Sequence, residues 1–90
     1  MQGRITIDID LFGAFRQLGE STYRLELPQG TRLCDVRSAL KELIAQQHPQ
    51  FAQKNLLDVS ALATDRAILR NDEVLMADTR LAILPPISGG

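Results

Sequence analysis

Ninety residues at 44% hydrophobic and 23% charged content describe one small globular domain, too apolar for a disordered chain and too short for two cores. A formal net charge of −1, the absence of any Lys/Arg cluster, and an aromatic set of three Phe and one Tyr leave no electrostatic footprint for nucleic acid. With one cysteine, Cys34, an internal disulfide is excluded, and adding the single histidine, His48, still leaves too few ligands for a Cys/His metal site or an iron–sulfur cluster.

The opening stretch MQGRITIDID runs straight into alternation instead of the charged and apolar blocks of a signal peptide. No stretch approaches the ~20 apolar residues of a membrane span, so the expectation is a soluble cytoplasmic protein. From Arg4 to Leu11, Ile5, Ile7, Ile9 and Leu11 alternate with Thr6, Asp8 and Asp10, which predicts a half-buried strand. Phe12, if the strand continues, falls on the polar face. After a turn around Gly19-Glu20-Ser21, Tyr23, Leu25 and Leu27 alternate with Arg24 and Glu26, and Pro28-Gln29-Gly30 closes this second strand. The two form an antiparallel hairpin joined by more than a tight turn.

The period then changes. Leu33, Val36, Leu40, Leu43 and Ile44 fall on one helical stripe, with Thr31 as a candidate N-cap and Asp35 in the first turn, where the helix dipole favours an anion. Gln46-Gln47-His48-Pro49 ends the helix, because the residue before proline avoids helical angles. Residues 50–60 give no clear signal and read as a short helix or a loop. Ser60 to Leu69 reads as two small strands about a Thr64-Asp65-Arg66 turn, with further connections at Asn71-Asp72 and Ala77-Asp78-Thr79. Arg80 to Leu84 is a last strand, Leu81 and Ile83 on one face and Ala82 and Leu84 on the other, ended by Pro85, which has no N–H to donate.

Hairpin, helix, short strands and final strand give an α+β fold with one main helix packed across one face of a mixed sheet. A β-grasp (ubiquitin-like) arrangement has this order, with the first and last strands parallel and adjacent at the centre. The expected organisation is a domain over residues 1–84 and an extended, flexible tail over 85–90.

Nothing within the domain reads as an active site. Asp8 and Asp10 share a strand face by alternation alone and read as a solvated surface. Cys34 sits where a helix dipole could lower a thiol pKa, but a small residue packed at the helix start explains it more simply. His48 reads as a helix-end residue, and Ser21, Ser38, Ser60 and Ser88 have no histidine or carboxylate partner at an informative spacing.

The ending LPPISGG is different. A terminal carboxylate is a poor electrophile until adenylation turns it into a mixed anhydride that a thiol or persulfide can attack. To be adenylated it must thread into a narrow site on another protein. Gly89 and Gly90, lacking Cβ, pass where larger residues cannot, and Pro85-Pro86, with φ fixed, keep the tail from collapsing onto the sheet.

RLAILPPISGG at 80–90 and LFGAFRQLG at 11–19, with its Arg-x-Leu, resemble the small-subunit family of molybdopterin synthase (molybdopterin-converting factor subunit 1), within the ubiquitin-like sulfur carriers that include the thiamine-pathway carrier. The resemblance covers nearly the whole chain and implies a β-grasp fold. It also implies that a ubiquitin-activating-type enzyme uses ATP to adenylate Gly90, that a sulfur donor converts it to a thiocarboxylate, and that the loaded tail enters the large synthase subunit in a complex pairing two small subunits with a dimer of large ones. There it supplies sulfur to cyclic pyranopterin monophosphate in molybdenum cofactor synthesis. No cofactor is bound by the chain itself, and the acid–base residues belong to the partner.

By position, the resemblance places Phe12, Ile68 and Leu84 against the large subunit, Arg16 beside that docking region, and Pro85, Pro86, Ile87 and Ser88 along the inserted tail. Phe12 and Leu84 are also out of phase with their strands' core faces, as a partner surface requires, although Phe12 could instead cover the core edge and Arg16 could be merely solvated. The chain departs from the family at Asp65, where Asn is common, and at Ala77-Asp78-Thr79-Arg80, where a Gly-Asp-Glu turn is common. A carrier for thiamine, cysteine or tRNA thiolation, a lysine-conjugated modifier, and a plain interaction module are the alternative readings.

Overall fold

A computed structural model describes residues 3–51 and 55–86. Strands β1 (Arg4–Leu11), β2 (Thr22–Pro28), β4 (Ala61–Ala63) and β6 (Thr79–Leu84) form one sheet in the order β2-β1-β6-β4, while β3 (Thr31–Arg32) and β5 (Val74–Leu75) form a two-stranded antiparallel sheet. Between β1 and β2 lies a six-residue 3-10 turn, Gly13–Leu18; helix α1 spans Leu33–Gln47 and a short α2 spans Leu56–Val59. The sheet is mixed: β1 pairs antiparallel with β2 and parallel with β6, and β4 pairs antiparallel with β6. This is the ubiquitin-like β-grasp arrangement, with the first and last strands side by side at the centre.

Alternation along β1 sends Ile5, Ile7, Ile9 and Leu11 to one face, where all four are buried under α1. Each such side chain contributes on the order of 1.5–3 kcal/mol when fully removed from water. Leu33, Val36, Leu40 and Ile44 meet them from the helix, and Leu43 packs at the margin, so the stripe read from the sequence is the stripe that is buried. Leu62, Leu81 and Ile83 extend the core across the sheet, and Phe15 and Phe51 close one end of it, their rings 6.1 Å apart.

Several expectations need correcting. Thr31 does not cap α1; it lies in β3, opposite Leu75, and the N-cap position is Arg32 with no side-chain cap. The loop before β5 does the capping instead: the amides of Leu33 and Cys34 donate to the carbonyls of Glu73 (2.8 Å) and Asn71 (3.0 Å). Cys34 is exposed and not packed, because a residue one step, about 100°, beyond Leu33 points away from the buried stripe. At the other end His48 is the C-cap, its amide donating to the Ile44 carbonyl at 2.7 Å before Pro49 stops the helix.

The region 50–60, open in the sequence, contains α2 where it is described. Its end is held by Arg37, whose guanidinium donates to the carbonyls of Leu57 (2.6 Å) and Ser60 (2.7 Å) and to Asn71 Oδ1 (3.2 Å). The Thr64 to Ala67 turn closes as expected, Thr64 Oγ1 accepting from the amides of Arg66 and Ala67, but of its second strand only a single bridge forms, Ile68 to Ala63. No described residue other than glycine has positive φ, so the turn before β6 closes at Ala77-Asp78 without a left-handed residue. Asp78 Oδ1 there accepts the Thr6 amide at 2.8 Å.

Candidate functional site

Strands β1 and β6 run in the same direction and finish level, Leu11 opposite Ile83. Their next residues therefore emerge together at one end of the sheet. Phe12 keeps extended angles (φ −129°, ψ 161°) and is 39% exposed; Leu84, the last residue of β6, is 38% exposed. Phe12 is exposed and lies outside the core cluster. The Arg16 guanidinium sits 5.7 Å from the centre of the Phe12 ring, a cation–π geometry, and its Nε donates to the Leu11 carbonyl at 3.4 Å. Arg16 is thus a brace for Phe12 as well as an exposed charge.

Register sets what lies beside them. Residues paired across strands share a face, so the face that carries Leu84 also carries Ala61 opposite it, Ala82 two residues back, and Ala63 opposite Ala82. Ile68, 66% exposed, bridges Ala63 at the far edge, two strand spacings or about 10 Å from β6. The outer face at this end is therefore a shallow apolar surface: small alanines as floor, with Phe12, Leu84 and Ile68 standing around it. Sequence reasoning named the three large residues and missed the floor, although Ala61, Ala63 and Ala82 alternate with Leu62 and Ile83 and could have been read as its second face.

The chain leaves the sheet from this surface. Pro85 is half-buried and Pro86 exposed, and Pro85 packs against Gly13, which has φ +60°. Gly13 opens the 3-10 turn, whose Phe15 and Leu18 are buried and whose end is capped by Gly19 in the left-handed region, donating its amide to the Arg16 carbonyl at 3.1 Å. Phe12, Arg16, Leu84, Pro85 and Pro86 are thus brought together around one exit point, with Ile68 at the margin. Ile87, Ser88, Gly89 and Gly90 lie outside the described residues.

Toward the other end, the outer face is charged and internally paired. Arg24 donates from Nε and from a terminal nitrogen to Asp8 (2.8 and 3.2 Å), Arg80 likewise to Asp10 (2.9 and 2.7 Å), and Thr22 Oγ1 donates to Asp10 at 2.7 Å. The hydrogen bond from Arg24 holds the Asp8 carboxyl below the ordinary range, and those from Arg80 and then Thr22 do the same for Asp10. Both carboxylates are engaged as acceptors and are not poised for proton transfer. Among the described residues no group of three or more His, Cys, Asp or Glu side chains could hold a metal ion, and no helix is long and apolar enough to cross a membrane.

The family model of the ThiS family matches residues 9–90. The chain belongs to the ThiS family. No curated protein matches it. Among solved structures it is similar to SAMP1 from Haloferax volcanii (TM-score 0.71, 22% identity, 94% of this chain and 99% of that one). It is similar also to a protein described as molybdopterin converting factor, subunit 1, from Pyrococcus furiosus (0.65, 24%, 92% and 99%). A third is the ubiquitin of Caldiarchaeum subterraneum (0.62, 20%, 98% and 100%). These likenesses carry the ubiquitin-like fold, and the family model carries the membership: a small protein of the ThiS family.

Proposed function

We propose that this protein is the sulfur-carrying small subunit of a molybdopterin synthase, with Gly90 as its reactive residue. The observation that supports this most is the exposed apolar surface of Phe12, Leu84 and Ile68 around the point where Pro85 and Pro86 leave the sheet. A large partner docked there receives the tail at the same time. The chemistry needs no catalytic side chain on this chain. The Gly90 carboxylate attacks the α-phosphorus of ATP on an activating enzyme and pyrophosphate leaves. A donor persulfide attacks the acyl carbon and AMP departs with the C–O electron pair; a second thiol then cleaves the acyl disulfide to the thiocarboxylate. In the large subunit the thiocarboxylate sulfur is delivered to cyclic pyranopterin monophosphate and hydrolysis restores the carboxylate. The tail of residues 85–90 carries the sulfur between sites, and two such subunits pair with a dimer of large ones in the cytoplasm.

The test is intact mass after incubation with the activating enzyme, ATP and a sulfur donor. Replacement of one oxygen by sulfur, localised to Gly90, is expected; an unchanged mass under conditions that load a known carrier removes the reading. Adding the large subunit and pyranopterin substrate then tests the pathway, and no dithiolene product points to another acceptor.

A small protein modifier is the second reading, favoured by the similarity to SAMP1 and to an archaeal ubiquitin. The same incubation with cell extract separates the two, because a modifier gives adducts joined to lysine side chains.

A further inference from the structure

Among the described residues, three glycines occupy the left-handed region: Gly13 (φ +60°), Gly19 (φ +82°) and Gly30 (φ +89°). All three avoid the strain of a side chain there. Only one has a second reason to be glycine. A Cβ at Gly19 would meet nothing within 4 Å, and one at Gly30 would reach only Met76 Sδ, at 4.0 Å. At Gly13 it would lie 2.6 Å from Pro85 Cγ, 3.5 Å from Cδ and 3.9 Å from Cβ, so the whole proline ring lies against the glycine.

We propose that Gly13 and Pro85 form a seat that sets the direction in which the chain leaves the sheet, which makes Gly13 a positioning residue for the terminal carboxylate. The inference rests on the carrier reading for its consequence, but not for its geometry.

The two sides of the seat differ in stiffness. Gly13 begins a turn held by the Phe15 amide donating to the Phe12 carbonyl (3.3 Å), by Arg16 on the Leu11 carbonyl, and by the buried Phe15 and Leu18. Pro85 stands just beyond the last paired residue, Leu84, and has no amide to add to the ladder. Its ring cannot rotate away as a flexible side chain would. Relief of a clash therefore comes from the backbone on the proline side. Moving from 2.6 Å to ordinary contact at 3.4 Å requires 0.8 Å. About a pivot one residue back, ~3.8 Å away, that shift turns the direction in which the chain departs by about 12°. Misplacement of a reacting group by ~1 Å can cost ~100-fold in rate.

The experiment compares Gly13→Ala, Gly19→Ala, Pro85→Ala and the double variant Gly13→Ala/Pro85→Ala in the full chain. Residual dipolar couplings of residues 84–90 read the exit direction, and single-turnover adenylation read beside affinity for the activating enzyme gives the functional effect. Gly13→Ala is expected to change the couplings and lower the rate about tenfold or more at an affinity within about twofold of the parent. Gly19→Ala, with the same left-handed strain but open space, leaves both unchanged. In the Pro85→Ala background, where Cγ and Cδ are gone, Gly13→Ala has no further effect on the couplings. Couplings of Gly13→Ala equal to those of the parent, or an equal change in Gly19→Ala, overturn the seat. Should Gly13→Ala not fold, Pro85→Ala alone must change the couplings, and its failure to do so overturns the proposal. If the parent protein takes no adenylate at all, the carrier reading fails while the couplings still decide the seat.

Discussion

The outer face of the central sheet has two halves that share β1 and β6 and differ in chemistry. In the half nearer the strand starts, Asp8 is paired with Arg24 and Asp10 with Arg80 on the same chain. At the tail end, Phe12, Leu84 and Ile68 stand exposed around a floor of alanines. Alternation generates both halves, since each is the set of positions left over once the core face is filled. The difference lies in whether the surplus is satisfied. A paired charge ladder is complete in water, whereas large apolar side chains gathered at the exit of the chain form the kind of surface that a partner covers.

The largest effect expected from this contrast comes from the tail that the apolar half surrounds. Deleting Gly90 is expected to abolish sulfur loading, read by intact mass, and to leave the melting temperature within error, the tail residues being expected outside the core, whose last described member is Ile83. A large loss of stability would contradict their place outside the domain. Next comes Leu84→Asp, which puts a charge into the apolar surface and, on the proposed reading, is expected to weaken binding to the proposed large-subunit partner by about 10–100-fold, a hot-spot loss of roughly 1.4–2.8 kcal/mol. Calorimetric titration measures it, and since Leu84 is exposed, the domain itself should melt nearly as before.

Arg80→Ala in the charged half is the counterpart. It should change partner affinity by less than about twofold, since exposed ion pairs contribute little, and added salt should shrink even that. An effect comparable to that of Leu84→Asp would erase the distinction between the halves. The smallest effect is that of pH. Asp8 and Asp10 have folded values depressed below the ordinary 3.8, so the unfolded chain takes up protons first as the pH falls. Their contribution to stability is complete above pH 3.8 and disappears as the pH drops through the folded values. Urea titrations at stepped pH check the sign, and Asp10→Asn should flatten the dependence.

Much of this was legible in the chain. The isoleucines of β1, the stripe of α1 and the phases of Phe12 and Leu84 each follow from a period of two or of 3.6, which is a local property of the backbone. The ending PPISGG, read with the strand before it, carries the proposal that the reactive group lies in the tail, at residues outside those described. Other features were hidden because they depend on residues far apart in the chain. Nothing near Thr31 announces that Asn71 and Glu73 will cap the helix, nor does Arg37 advertise the end of α2, and Cys34 was misplaced for want of one helical step.

The sequence by itself therefore determined which positions face the core and which large residues do not, and it supplied the motif on which the proposed chemistry rests. Tertiary structure decided how those positions meet: that Ala61, Ala63 and Ala82 form one floor, that Arg80 finds Asp10 across 70 residues, and that Pro85 rests on Gly13. The physical reason is that burial patterns are written by backbone period, residue by residue, whereas contacts between distant segments exist only once parallel pairing of β1 and β6 has brought their ends level.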